Sequence, residues 1–146
     1  MKIGMPIRGS VHDLPKGDIT LIQPKDLGEN YRILFDEAQM FSGDSLAKNY
    51  QTFSLRPSDV LMTTRGENLK VGIMPKNTKF CVPSSSLFRM RIENKQILEH
   101  RFFARYLNSK PMKEKISQSQ SGSHIPNLKR SVFEMLTIPV PSLERQ

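Results

Sequence analysis

Arg56-Pro57-Ser58-Asp59-Val60-Leu61-Met62-Thr63-Thr64-Arg65-Gly66-Glu67-Asn68-Leu69-Lys70-Val71-Gly72-Ile73-Met74 holds two short apolar runs between polar turn signals. Pro57 fixes φ, and Ser58 and Asp59 can bond their own backbone, so residues 56–59 read as a turn. Val60 to Thr64 is apolar and β-prone, which predicts a buried strand. Arg65-Gly66-Glu67-Asn68 interrupts it, and Val71 to Met74 reads as the next strand. The pair forms a hairpin with a loop of about six residues.

Outward from the hairpin, Ile19 to Ile22 reads as a strand entered through Lys16-Gly17-Asp18, and Gln51 to Leu55 as a weak strand. Phe80-Cys81-Val82 is a short strand closed by Pro83-Ser84-Ser85. Ser86 to Ile92 alternates: Phe88, Met90 and Ile92 share one face, while Leu87, Arg89 and Arg91 share the other, expected to be half solvated. Helical character starts near Lys95, with Leu98, Phe102, Phe103, Tyr106 and Leu107 as one stripe; core packing is the expected role of that stripe. Asn108 and Ser109 end this helix. Pro111 suits the first turn of a second helix through Met112 and Ile116. A third helix is expected from Asn127 to Leu136, followed by an extended Thr137-Ile138-Pro139-Val140-Pro141 and a capped first helical turn at 142–146. Strands early and helices late predict an α+β fold. The expectation is a single compact domain over 1–146, with a mixed or antiparallel sheet in the N-terminal and middle part and helices packed mainly from the C-terminal part.

The chain has 146 residues, 22 basic and 14 acidic, a net charge of +8. Residues 1–64 carry net −1 and residues 65–146 net +9, so the surplus is confined to the second part. This asymmetry suits a polyanion, nucleic acid first and membrane surface second, against the plainer reading of a generally basic solvated surface. No apolar run is long enough to span a bilayer, and residues 1–4 have no signal-peptide character. The single cysteine, Cys81, excludes an internal disulfide and multi-cysteine zinc sites; a reducing, cytoplasmic setting fits.

Catalytic signatures are missing. No glycine-rich dinucleotide loop, P-loop, zinc-protease helix or nucleophile elbow occurs, and no cofactor is expected. His12, His100 and His124 stand far apart with no partner pattern. Pro57-Ser58-Asp59 and the distant Glu93-Asn94-Lys95 mimic a metal-dependent nuclease, in which Asp and Glu hold Mg²⁺ and Lys orients water. Asp59 has a simpler role in the turn, and Glu93-Asn94-Lys95 a simpler one as a strand-to-helix loop.

Five segments together resemble a known family. The residues from Leu55 to Gly66 resemble a recurrent segment of target-recognition domains in type I restriction–modification specificity subunits, and Val82-Pro83-Ser84-Ser85-Ser86-Leu87-Phe88-Arg89-Met90-Arg91 looks like the family's next strand. Phe102-Phe103-Ala104-Arg105-Tyr106-Leu107-Asn108-Ser109 is similar to its Tyr-Leu-Asn-Ser helix. Gly122-Ser123-His124-Ile125-Pro126-Asn127-Leu128 is similar to its Gly-Ser-x-Ile loop. Ile138-Pro139-Val140-Pro141-Ser142-Leu143-Glu144-Arg145-Gln146 resembles its Ile-Pro-aliphatic-Pro-x-Leu-Glu-x-Gln ending. The matches follow the family's order from about Asp18 to Gln146. Family subunits usually carry two recognition domains joined by long spacer helices. Such a helix would start near 142–146, and the remainder of it is not in this chain.

The resemblance implies a non-enzymatic module that reads one half of a bipartite DNA target. Its implied partners are double-stranded DNA, a DNA methyltransferase subunit and a restriction subunit, with a second recognition domain supplied in cis or by homodimerisation and no membrane. Base reading needs bidentate donors, and phosphate contacts need Lys, Arg, Ser and backbone N–H groups. Three surfaces meet those needs. One is the hairpin loop with Arg65, Gly66, Asn68 and Lys70, and another is the loop with Lys76, Asn77 and Lys79. The third is Ser121, Gly122, Ser123 and His124, flanked by Lys129 and Arg130 before a helix. Arg101 and Arg105 read as helix-surface charges. The alternatives are a protein-interaction or scaffold domain of the same family without DNA binding, and the metal-dependent nuclease.

Overall fold

The structure, a computed structural model, describes residues 2–4, 17–36, 38–42, 50–65, 69–118 and 137–146. It is an α+β arrangement whose strands lie in the N-terminal and middle parts. β4 (Val60–Thr63) and β5 (Val71–Ile73) form the expected antiparallel hairpin, with Val60 opposite Ile73 and Met62 opposite Val71. β7 (Leu87–Met90) pairs antiparallel with the other side of β4, and β1 (Lys2–Ile3) pairs with β7. The resulting order is β1-β7-β4-β5, which leaves β5 at an edge.

A second sheet has β2 (Ile19–Ile22) at its centre. It pairs antiparallel with β3 (Gln39–Phe41) and parallel with β6 (Cys81–Pro83). The helices are α1 (His100–Leu107) and α2 (Lys110–Gln118). Glu99 caps α1, its carboxylate accepting from the N–H groups of Arg101 at 2.8 Å and Phe102 at 2.9 Å.

Period-two alternation sorts the four-stranded sheet's side chains into two cores. Val60, Met62, Val71, Phe88 and Met90 face one cluster, completed by Phe103, Ala104, Leu107, Met112 and Ile116 from the helices. Of the α1 stripe, Phe103 and Leu107 are therefore core and Leu98 and Tyr106 pack against it, as the spacing predicts, while Phe102 is only partly buried and joins no cluster. Leu61 and Leu87 face the opposite cluster with Ile22, Leu27, Ile33, Leu55, Met74 and Cys81. A third cluster, of Ile19, Leu21, Phe41 and Val82, covers the far side of the second sheet with Tyr50 and Phe53. Each fully buried Leu, Met or Phe contributes about 1.5–3 kcal/mol.

Three expectations need correction. Residues 50–53 form a 3₁₀ turn (Tyr50–Phe53), not a strand, and the turn sets Tyr50 and Phe53 against the third cluster. The first helix starts at His100; Lys95, Gln96 and Ile97 form a turn before it. The Leu87/Arg89 face of β7 is not half solvated: Arg89 is 6% exposed, because residues 50–55 cover it. The expected third helix, 127–136, lies outside the described residues.

The C-terminal segment returns to α1. After the extended stretch, Leu143–Arg145 forms one 3₁₀ turn. The Gln146 side-chain oxygen accepts from the Glu99 N–H at 2.7 Å, and its amide nitrogen donates to the carbonyls of Ile97 and Pro141, both at 2.8 Å.

Candidate nucleic-acid interface

The β4–β5 hairpin separates the proposed contacts into two groups. Arg65 and Lys70 are exposed where the strands enter their connecting loop. The Thr63 N–H donates to the Lys70 carbonyl and the Lys70 N–H to the Thr63 hydroxyl, both at 3.1 Å, closing the ladder there. Lys76, Asn77 and Lys79 are exposed past the opposite end, where Met74 donates to the Asp59 carbonyl and Ser58 donates to that of Met74. An extended chain covers roughly 20 Å between residues 70 and 76, so the hairpin alone does not bring the two groups together. Gly66, Asn68, Ser121, Gly122, Ser123, His124, Lys129 and Arg130 lie outside the described residues.

A feature that the sequence reading missed spans the gap. Residues 27–33 form a small hairpin held by a Leu27–Ile33 bridge, a Gly28 N–H to Arg32 carbonyl bond of 3.0 Å and an Arg32 N–H to Glu29 carbonyl bond of 3.1 Å. Leu27 and Ile33 are buried in the second cluster, and Tyr31 packs against the first. The tip, Glu29–Tyr31, places Asn30 (φ 52°) and Tyr31 (φ 62°) both in the left-handed region. Gly72 makes the seat on β5. A Cβ there would sit 2.6 Å from Ile33 Cδ1 and 2.8 Å from Leu27 Cδ2, so the ends of both side chains would have to shift to admit one.

Two cavities flank this tip along the β5 edge. One, of about 470 Å³, includes Lys25 and Lys70; the other, of about 620 Å³, includes Arg32, Lys76 and Arg101. Asn30 and Tyr31 line both. One residue from each group, Lys70 and Lys76, thus belongs to a cationic strip whose middle is the 27–33 tip; Arg65, Asn77 and Lys79 do not line these cavities. Of the cations, Arg101 was read from sequence as a plain helix charge, and Lys25 and Arg32 carried no assignment. A short polar loop gives no local sign of what it packs on. Glu29 and Glu99 are the acidic lining residues of these two cavities, and Glu99 is engaged as the α1 cap and lies 3.0 Å from His100 Nδ1.

A further cavity of about 620 Å³ brings together Asp59, Glu93 and Lys95, the nuclease-like residues. Asp59 is only 1% exposed, and its carboxylate is committed. Oδ1 accepts from Arg91 Nε at 2.7 Å, while Oδ2 accepts from an Arg91 terminal nitrogen at 2.7 Å and from the Arg56 N–H at 2.8 Å. This bidentate grip holds the Arg91 guanidinium above its ordinary pKa. Burial and the neighbouring Arg91 lower that of Arg89, which donates to the carbonyls of Thr52 at 3.3 Å and Ser54 at 2.9 Å. Asp59 is thus the clasp of the 56–59 turn, as its simpler reading had it. Among the described residues no group of three His, Cys, Asp or Glu is arranged to hold a metal ion, and no helix is long and apolar enough to cross a membrane.

The family model for the type I restriction modification DNA specificity domain matches residues 9–146. A search of curated proteins returned no match. The model spans nearly the whole chain, and the five sequence segments fall within its range; the chain therefore belongs to the type I restriction–modification DNA specificity domain family.

Proposed function

We propose that this domain reads one half of a bipartite duplex target and presents it to a DNA methyltransferase subunit, leaving the chemistry to that partner. In this reading residues 1–146 act as one target-recognition unit, 142–146 lead towards a spacer helix, and a second unit supplies the other half-site. The observation that carries the proposal is the cationic strip along the β5 edge, found on a chain of the specificity-domain family. Lys and Arg on a concave edge suit phosphates, and the exposed Asn side chains suit base edges. Arg65, Lys70, Lys76, Asn77 and Lys79 are proposed contacts, and so are Gly66, Asn68, Ser121, Gly122, Ser123, His124, Lys129 and Arg130.

Selection of bound duplexes from a random pool, followed by titration across salt concentrations, tests the proposal. The selected duplexes are expected to share a short sequence, and log K is expected to fall with log salt by about 0.9 per phosphate neutralised. Arg65→Ala and Lys76→Ala should each weaken binding to all duplexes and each reduce that slope by about 0.9. Duplex affinity unchanged in both variants would remove Arg65 and Lys76 from the interface.

A further inference from the structure

We infer that Asn30 is a base-contacting, specificity-determining residue, with Lys70 on one side of it and Arg32 and Lys76 on the other holding the flanking phosphates. The inference rests on the duplex-reading function proposed above and names the residue that discriminates.

The backbone is the starting point. Two successive non-glycine residues in the left-handed region, at φ 52° and φ 62°, cost free energy, and for a bulky Tyr the conformation is rare. The surrounding structure enforces it. The Leu27–Ile33 bridge closes the hairpin, both bridging residues are buried, and Tyr31 is packed against the helix-side core. The tip is therefore a rigid projection, the kind of support that fixes a recognition group in place.

What the projection presents is the Asn30 amide. It is exposed and has no hydrogen-bond partner among the described residues. A capping or turn-closing Asn would bond the nearby backbone, whereas here Gly28, Glu29 and Arg32 close the turn with main-chain groups alone. An Asn side chain carries a donor and an acceptor in the geometry that matches N6 and N7 of adenine.

Position supplies the rest of the argument. Asn30 lies on the ridge shared by two hollows, with Lys70 in one and Arg32 and Lys76 in the other. Point charges on both sides of a neutral amide match the alternation of phosphate and base along a duplex. Glu29, beside Asn30, disfavours a phosphate at the crest but accepts from an amino edge of a base.

Three variants of the full chain, Asn30→Gly, Asn30→Asp and Arg32→Ala, are compared with the wild type in duplex selection and in salt titration. Glycine adopts φ 52° without strain and Asp tolerates it, so both keep the tip. The wild type should prefer adenine at one position by roughly tenfold or more. Asn30→Gly and Asn30→Asp should reduce that preference to about twofold or less; Asn30→Gly removes no charge, so its salt slope should stay that of the wild type. Arg32→Ala should keep the preference and lower affinity for every duplex, with a slope smaller by about 0.9. A wild-type base preference retained in Asn30→Gly overturns the inference, as does wild-type binding with no base preference; both leave duplex binding standing. A wild type that binds no duplex at low salt overturns the proposed function itself.

Discussion

The Asp59 carboxylate ties two pieces of chain together: the turn it belongs to, through the Arg56 N–H, and Arg91, 32 residues away. At 1% exposure the carboxylate has exchanged water for those donors, so removing it strands a guanidinium and a backbone N–H. Because Arg91 is 31% exposed and can regain water, Asp59→Ala is expected to cost about 1–3 kcal/mol, read as a lower denaturant midpoint at unchanged m-value. Cys81 makes an opposite demand. Burial pushes its thiol above the ordinary range, with the Thr20 hydrogen bond opposing more weakly. As pH rises past about 8.5 the unfolded chain gives up this proton before the folded one does. The thiol's contribution is therefore complete below that pH and declines above it. Unfolding curves taken from pH 7 upward should show a smaller alkaline loss in Cys81→Ala than in the wild type.

At the scale of elements, the sequence is most informative where neighbours in the chain decide the outcome. Turn chemistry at 56–59 and two β-prone runs specify the β4–β5 hairpin, and the stripe from Phe102 to Leu107 marks the buried face of α1. The residues from Gln51 to Leu55 mislead because weak alternation in five residues is compatible with one turn of 3₁₀ helix, and contact with the second sheet favours the turn. Alternation also shows that Arg89 lies opposite Phe88 but not what covers it; the cover comes from carbonyls 35 and 37 residues earlier. The 27–33 hairpin is illegible for a similar reason, since its seat is Gly72, far along the chain. Gly72→Ala tests that seat. The added methyl must displace Ile33 and Leu27, an overpacking cost of about 1–3 kcal/mol measurable by chemical denaturation.

Across the whole molecule, one four-stranded sheet divides two cores: helices close the first, and the second sheet with the 27–33 hairpin closes the other. Alternation on β4 sends Met62 to one core and Leu61 to the other, so the same short strand supports both. Charge is distributed on a different plan. Its surplus in the second part of the sequence was visible from composition, but the strip it forms draws Lys25 and Arg32 from the near-neutral first part, because folding sets residues 25–32 beside residues 70–76. Composition can signal a polyanion partner, whereas the face proposed to meet it exists only after long-range packing. The hairpin at 27–33 keeps its two duties apart. Leu27 and Ile33 bear its weight inside the protein, while Glu29 and Asn30 at the summit bear none. If Asn30 reads a base as proposed, new letters can be written at the summit while the foundation stands.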